Sequence, residues 1–89
     1  MITIYKYALE ATETHVISAP WKEVLCVKAI ADIPYIWLLV DTAAPDRELV
    51  VHTVGTGHDM TSRYKAFSYV GTYSLYDNTL IFHVFNGSK

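Results

Sequence analysis

The sequence predicts an all-β, mainly antiparallel fold: a small single-domain β-sandwich or barrel of about six strands. Runs rich in β-branched and aromatic residues recur at short spacing along the chain, and turn-forming residues separate them. No segment clearly predicts a helix. A chain of 89 residues has room for one core, so we expect residues 1–89 to form one domain.

The predicted strands follow one another through short connections. They are residues 2–9, 14–18, 24–30, 35–41 and 49–54, followed by a hairpin in the last third of the chain. Residues 31–34, ADIP, indicate a four-residue hairpin connection. The run 35–41 is apolar at nearly every position, which is typical of a strand covered on both faces. Pro20 interrupts the pattern after residue 18, although Ser18 could instead cap one helical turn.

The C-terminal hairpin is the clearest local prediction. Asp77-Asn78 stands between two β-rich runs, and both residues tolerate the positive φ of a two-residue type I′ turn. This turn sets the register of one face, which we expect to be the core: Leu75 with Leu80, Tyr73 with Phe82, and Gly71 with Val84. The other face then pairs Ser74 with Ile81, Thr72 with His83, and Val70 with Phe85.

That second face mixes apolar and polar side chains, so it suits neither water nor a dry interior. We therefore predict a subunit interface or pocket wall formed by Val70, Thr72, Ile81, His83 and Phe85. The composition also favours an oligomer, because 52% of the residues are hydrophobic and the chain contains 7 Tyr, 3 Phe and 2 Trp. So short a chain has little interior for this apolar surface, and we expect a homo-oligomer.

Charge and targeting signals narrow the function classes. A net charge of −2 argues against general nucleic-acid binding, which normally requires a basic patch. The N-terminus has no signal-peptide pattern, and the longest apolar run, IPYIWLLV, is too short to span a bilayer. We read the single Cys26 as a small core residue, in keeping with a reducing compartment. The sequence thus predicts a cytoplasmic protein without membrane association.

The segment GTGHDMTSRY, residues 55–64, is the main candidate for a site. Glycine-rich turns allow backbone N–H groups to approach an anion, arginine binds phosphate, and tyrosine stacks on bases. The predicted ligand-binding residues are Gly55, Thr56, Gly57, His58, Arg63 and Tyr64, with Trp37 as a further stacking partner. The alternative is a simple strand exit in which the glycines supply positive φ, because neither GxGxxG nor GxxxxGK[ST] is present.

The sequence contains no recognisable catalytic or metal motif. The four histidines lack the close-spaced pair that is usual in zinc sites, and no GxSxG elbow is present. The carboxylates fall at predicted turns, with no spacing that places two on one face of an element. We therefore predict no catalytic residue, no metal and no cofactor, and read His83 as a core or interface imidazole before a catalytic base.

Several segments together resemble a family of small uncharacterised proteins from tailed bacteriophages. These segments are IYKY, IWLLVD, VGTGH, YVGTY and LIFHVF, and the resemblance covers nearly the whole chain. The resemblance implies a phage accessory protein acting in the cytoplasm of the infected bacterium. It favours a counter-defence module that sequesters a nucleotide-type immune signal, such as a cyclic nucleotide or an ADP-ribose derivative, without cleaving it. A protein-binding inhibitor or structural adaptor is the first alternative, and a nucleotide-hydrolysing enzyme is the second.

Overall fold

The computed structural model describes residues 1–10 and 13–88, which form seven antiparallel strands in two stacked sheets. The strands are β1 (Ile2–Ala8), β2 (Thr14–Ala19), β3 (Trp21–Ile30), β4 (Ile33–Asp41), β5 (Arg47–Gly55), β6 (Ser68–Leu75) and β7 (Leu80–Asn86). The three-stranded sheet has the order β1-β4-β3, and the four-stranded sheet has the order β2-β5-β7-β6. The predicted all-β sandwich is confirmed, with seven strands where about six were expected. Within the described ranges a 3₁₀ turn, Tyr64–Ala66, is the one helical element.

The core lies between the sheets and is made by alternate residues of the central strands. Ile36, Leu38 and Val40 of β4 are fully buried, as are Leu49 of β5 and Val84 of β7. Burying each such side chain contributes about 1.5–3 kcal/mol to the free energy of unfolding. The residues between them in β4 face outward, so the continuous apolar run of this strand covers the inner and the outer surface of its sheet.

The sandwich is closed on one side and open on the other. On the closed side β3 packs against β6, where a Cβ atom on Gly71 would lie 2.9 Å from Val27 Cγ2. A larger residue at position 71 would force the Val27 side chain or one of the two strands to shift, so glycine favours their close approach. On the open side, β1 and β2 are the outermost strands of their respective sheets.

The β3–β4 hairpin is tighter than predicted. Ile30 pairs with Ile33, so the connection is the two residues Ala31 and Asp32, with φ of 50° and 62°. The predicted four-residue connection is wrong, because Pro34 lies inside β4. Proline is tolerated there because β1 ends at this point, and the Pro34 carbonyl still accepts a hydrogen bond from Leu9 N–H at 2.9 Å.

The β6–β7 hairpin turns at Asp77-Asn78 as predicted, but the predicted two-residue connection is wrong, because Leu75 pairs with Leu80 and the connection is residues 76–79. Both residues have positive φ, 55° and 65°, and the Thr79 N–H donates to the Tyr76 carbonyl at 3.2 Å. Tyr76 is also left-handed, with φ of 51°, so the strands end at Leu75 and Leu80. All three pairs predicted for the core face are confirmed.

A β-bulge changes the opposite face of this hairpin. The predicted pairs Ser74 with Ile81 and Thr72 with His83 are present, but Val70 does not pair with Phe85. Tyr69 takes that place, because Val70 is the extra residue of the bulge and packs against the core. Val70 is therefore not part of the outer surface on which it was predicted.

One further prediction from local sequence, for Cys26, is wrong, and the alternative considered for Ser18 is not realised. Cys26 is exposed on the outer face of the three-stranded sheet, opposite Trp37, and does not belong to the core. Irregular pairing between Trp21 and Cys26 shifts the alternation of β3, which the apolar run alone could not indicate. Ser18 caps no helical turn, since β2 continues to Ala19 and β3 begins directly after Pro20.

Candidate functional site

The loop of residues 56–67, which joins β5 to β6, has a defined internal structure. Gly57 adopts a φ of 87°, which favours glycine. The Met60 carbonyl accepts hydrogen bonds from the N–H groups of Arg63 and Tyr64, at 3.1 and 3.0 Å. Asp59 Oδ1 accepts from the hydroxyl and the N–H of Thr61, at 2.6 and 2.8 Å, and these bonds lower the pKa of the Asp59 carboxyl.

This loop folds back onto the outer face of the four-stranded sheet. Arg63 Nη1 donates to Glu13 Oε1 at 2.7 Å and lowers the pKa of that carboxyl. The Phe67 ring stacks on the His52 imidazole of β5, with centroids 4.0 Å apart and an interplanar angle of 16°. Val54 points toward the outer face of the sheet but is only 4% exposed, which agrees with the loop lying over this face.

His52 is held tightly beneath the loop. Burial lowers the pKa of its imidazole, the nearby Arg63 lowers it further, and Glu13 partly offsets both effects. Its Nδ1 lies 3.3 Å from Thr14 Oγ1. On another side, a Cβ atom placed on Gly87 would come within 2.5 Å of His52 Cδ2. Glycine at position 87 therefore leaves the space that the ring occupies.

A row of hydrogen-bonded side chains crosses the outer face of β6 and β7 beside this loop. Thr56 Oγ1 lies 2.7 Å from His83 Nε2, and Thr72 Oγ1 lies 3.0 Å from His83 Nδ1. The Tyr69 hydroxyl continues the row, 2.7 Å from Thr72 Oγ1. We call Thr56, His83, Thr72 and Tyr69 the hydroxyl–histidine row. A hydroxyl both donates and accepts, so Thr56 and Thr72 can partner both ring nitrogens of His83 in either tautomer.

An open pocket of 380 Å³ adjoins the Thr56 end of this row. Its lining residues come from the end of β5 and the start of β7: Gly55, Thr56, His58, Thr79, Leu80, Ile81 and Phe82. The His58 ring lies so close over Gly55 that a Cβ atom there would meet it at 3.0 Å. The volume falls at the lower end of the range of small-molecule sites, about 300–1,000 Å³.

Aromatic rings flank the opposite end of the row. Phe85 contacts Tyr69 edge-on, with centroids 5.6 Å apart, and lies 6.2 Å from Phe67. Tyr69 is 63% exposed, so much of this residue is accessible to a ligand. The outer surface of the four-stranded sheet thus combines a pocket, a polar row and an exposed aromatic ring.

The structure brings together most, but not all, of the residues predicted for the site. Gly55, Thr56, Gly57 and His58 lie at the exit of β5, and Thr72, Ile81, His83 and Phe85 lie on the adjoining outer face. The two predicted groups, one for a ligand and one for an interface, meet at the contact between Thr56 and His83.

Three predicted ligand-binding residues lie apart from this surface. Arg63 and Tyr64 line a separate hollow on the loop, and the Arg63 guanidinium is already engaged by Glu13. Trp37 lies on the outer face of the other sheet, with its ring 6.1 Å from that of Tyr35. Tyr69, in contrast, was not predicted for the site. Gly71 was the one sequence signal for the bulge that turns Tyr69 outward.

Within residues 1–10 and 13–88, no group of three or more His, Cys, Asp and Glu side chains is arranged to hold a metal ion. The same ranges contain no helix of the length and apolarity needed to cross a membrane. The chemistry that the described surface offers is hydrogen bonding and aromatic contact.

Comparison with protein families gives a match over the full chain. A family model described as a domain of unknown function, DUF7352, matches residues 1–89. No curated protein and no solved structure is significantly similar to the chain.

Proposed function

This chain belongs to the family of the domain of unknown function DUF7352, and we propose that it is a non-catalytic binding module for a nucleotide-type ligand. The observation that carries the proposal is the hydroxyl–histidine row between the pocket at Thr56 and the exposed ring of Tyr69. A binding module needs an arrangement that exists before the ligand arrives, because ordering side chains on binding costs affinity.

The chemistry of the row suits a nucleotide. Hydroxyl and imidazole groups offer donors and acceptors to phosphate, ribose and base edges. The Tyr69 ring supplies a surface on which a base can stack, a contact that contributes about 1–3 kcal/mol of binding free energy. The pocket beside Gly55 and His58 has room for one sugar or base moiety.

Sequestration explains the row better than catalysis does. In a catalytic triad, a third group orients the base so that its other nitrogen accepts the proton of the nucleophile. Each ring nitrogen of His83 is hydrogen-bonded to a threonine hydroxyl, and no carboxylate contacts the ring in the described part of the chain. The imidazolium that general-base catalysis would form has no counter-charge in contact with it. A fixed hydrogen-bonding edge therefore accounts for these contacts more simply.

The proposed setting is the cytoplasm of a phage-infected bacterium, and the proposed ligand is an immune signal such as a cyclic dinucleotide or a cyclic ADP-ribose isomer. This part rests on the segments IYKY, VGTGH, YVGTY and LIFHVF, which resemble phage accessory proteins. By binding the signal without cleaving it, the protein would lower its free concentration by mass action. We further propose that the protein works as a homo-oligomer, as its surplus of apolar residues suggests.

Isothermal titration calorimetry with a panel of these nucleotides tests the proposal. We expect at least one member to bind, and Thr72→Val to weaken that binding by about tenfold or more, because valine keeps the shape and removes the hydroxyl that joins Tyr69 to His83. Thr42→Val, which removes a hydroxyl bonded to the Met1 carbonyl on the other sheet, should bind as the unmodified protein does. Equal binding by both variants would place the ligand elsewhere.

A protein-binding adaptor is the second candidate, favoured by the outer face of the three-stranded sheet. Ile2, Ile4, Ile30 and Ile33 all point outward there and are 45–55% exposed. They form two pairs at opposite ends of β4, with the outward-facing Tyr35, Trp37 and Leu39 between them, so the apolar residues run along the length of this face. Exposed apolar residues on one face of a sheet favour an interaction surface. Affinity capture from a bacterial lysate should then retain one stoichiometric protein, and Ile33→Lys should release it. A nucleotide bound without any retained protein would favour the first candidate.

A further inference from the structure

The free edge of β1 carries a row of unpaired backbone groups. Met1 accepts a hydrogen bond from Thr42 N–H, and Leu9 N–H donates to Pro34, both at 2.9 Å. Backbone groups alternate in direction along an antiparallel pair, so the odd-numbered residues of β1 bond to β4. The even-numbered residues Ile2, Ile4, Lys6 and Ala8 therefore direct their N–H and C=O groups away from the sheet. No other strand of the described ranges pairs with this edge.

This edge lacks the features that normally protect an edge strand. β1 contains no proline, and its seven residues pair with β4 without a bulge. Its one charged residue, Lys6, extends over the Tyr35 ring of β4, with Nζ 4.4 Å from the ring centroid. The ammonium group thus lies over the sheet, and its charge does not protect the edge of β1 against pairing with another strand.

We propose that β1 pairs antiparallel with β1 of a second copy of this chain, which joins the two three-stranded sheets into one sheet of six strands. The occupant follows from the symmetry of the strand. In the register centred on Tyr5, each residue whose backbone N–H and C=O groups point away from β4 lies opposite another such residue of the second copy. Ile2 lies opposite Ala8, and Ile4 lies opposite Lys6. All four residues of each copy that have unpaired backbone groups are then paired with a residue of the other copy.

Charge and apolar exposure select this register over its neighbours. Sliding by two residues in one direction would place Lys6 against Lys6, and like charges directly opposite are destabilising. Sliding in the other direction would leave Ala8 unpaired. In the proposed register the side chains of Ile2 and Ile4, 52% and 55% exposed in the single chain, lie beside the joint and lose water contact.

Proline substitutions test which edge forms the interface. Ile4→Pro removes an N–H that does not bond to β4, so the fold should persist by circular dichroism while the dimer dissociation constant rises about tenfold or more. Val16→Pro is the matched control on β2, the free edge of the other sheet, where the N–H also points away from its neighbour β5. In sedimentation velocity we expect a dimer for the unmodified protein and for Val16→Pro, and a monomer for Ile4→Pro. A monomeric unmodified protein, or a dimer that survives Ile4→Pro, would overturn the proposal.

Disulfide crosslinking tests the register in a background with the exposed cysteine removed by Cys26→Ser. Residues opposite one another in a non-hydrogen-bonded pair have Cα atoms about 4.5 Å apart, within the range of a disulfide. Tyr5→Cys should therefore crosslink with its own copy under oxidation. Tyr7→Cys should not, because its two copies would lie about 13 Å apart, but it should crosslink with Thr3→Cys when the two variants are mixed. Efficient self-crosslinking by Tyr7→Cys would contradict the register.

Discussion

At the scale of single residues, His52 links the sheet to the loop above it. Phe67 stacks on its ring, Thr14 contacts its Nδ1, and Gly87 leaves the space that it fills. Burial and Arg63 lower the pKa of the imidazole, which favours the neutral form of this side chain in the folded protein. The contacts that join this loop to the sheet are thus made by a histidine whose neutral form the fold favours.

The protonation of His52 should make stability depend on pH. Its pKa is lower in the folded protein than the value of about 6.5 expected in the unfolded chain, so the unfolded chain binds more protons. The contribution of His52 to the free energy of unfolding is therefore present above about pH 6.5 and is lost as the pH falls below it. Denaturant titrations at pH 7.5 and 5.5 should show lower stability at pH 5.5.

His52→Gln is the variant that isolates this effect. It should reduce the difference between the two pH values, while His15→Gln on β2 controls for the loss of a histidine as such. If the pH dependence is the same in His52→Gln as in the unmodified protein, another group is responsible.

A second prediction at this scale concerns the space beside the His52 ring. Gly87→Ala would place a methyl group within 2.5 Å of His52 Cδ2, so the ring must move and its stacking on Phe67 is disturbed. We expect a loss of about 1–3 kcal/mol in the free energy of unfolding. Combining it with His52→Ala should remove most of this cost, since the obstructing ring is gone. Additive costs in a double-mutant cycle would show that the methyl group acts elsewhere.

At the scale of elements, one hairpin in each sheet sets the register of its own two strands, β3 with β4 and β6 with β7, and the two turns are linked to each other. The β3–β4 turn uses Ala31 and Asp32 with positive φ, and the β6–β7 turn uses Asp77 and Asn78 in the same region. Asp32 Oδ1 accepts a hydrogen bond from Tyr76 N–H at 2.7 Å, which joins the two turns. One end of the sandwich is therefore held by contacts between its turns as well as by the core.

The first of these turns contains a residue that is poorly suited to it. Ala31 adopts a φ of 50°, where a Cβ atom is unfavourable and glycine is not strained. Ala31→Gly should raise the free energy of unfolding by about 0.5–1 kcal/mol, after allowing for the greater flexibility of the unfolded chain. Ala29→Gly, in the extended part of β3, should lower it. Thermal unfolding of both variants tests these two opposite changes in stability. A lower stability of Ala31→Gly would show that the turn is not strained.

At the scale of the whole molecule, the sequence predicts the fold class and the C-terminal hairpin because both follow from local rules. Alternation with a period of two and the tolerance of Asp77-Asn78 for positive φ determine which side chains share a face. The bulge at Val70 lies outside such rules, because one extra residue leaves little trace in the local pattern. It alone decides that Tyr69 reaches the outer surface.

The candidate site was predictable only in parts for a related reason. Arg63 pairs with Glu13, 50 positions away in the chain, and no local pattern indicates that contact. In the continuous apolar run of β4, periodicity does not show which residues face the core, so it could not place Trp37 on the sheet that lies away from the loop. The sequence predicted the segment 55–58 as part of a ligand site and the outer face of the C-terminal hairpin as an interface. Only the fold shows that the two are in contact.

Native mass spectrometry of the protein mixed with cyclic dinucleotides and cyclic ADP-ribose isomers tests the proposed binding function most directly. The mass of the complex reports the number of chains, the number of ligands and the chemical state of the ligand in one measurement. Our account predicts an intact, unconverted nucleotide retained by the unmodified protein and lost from Thr72→Val. Protein without adducts across the whole panel, or a nucleotide released in cleaved form, would contradict it.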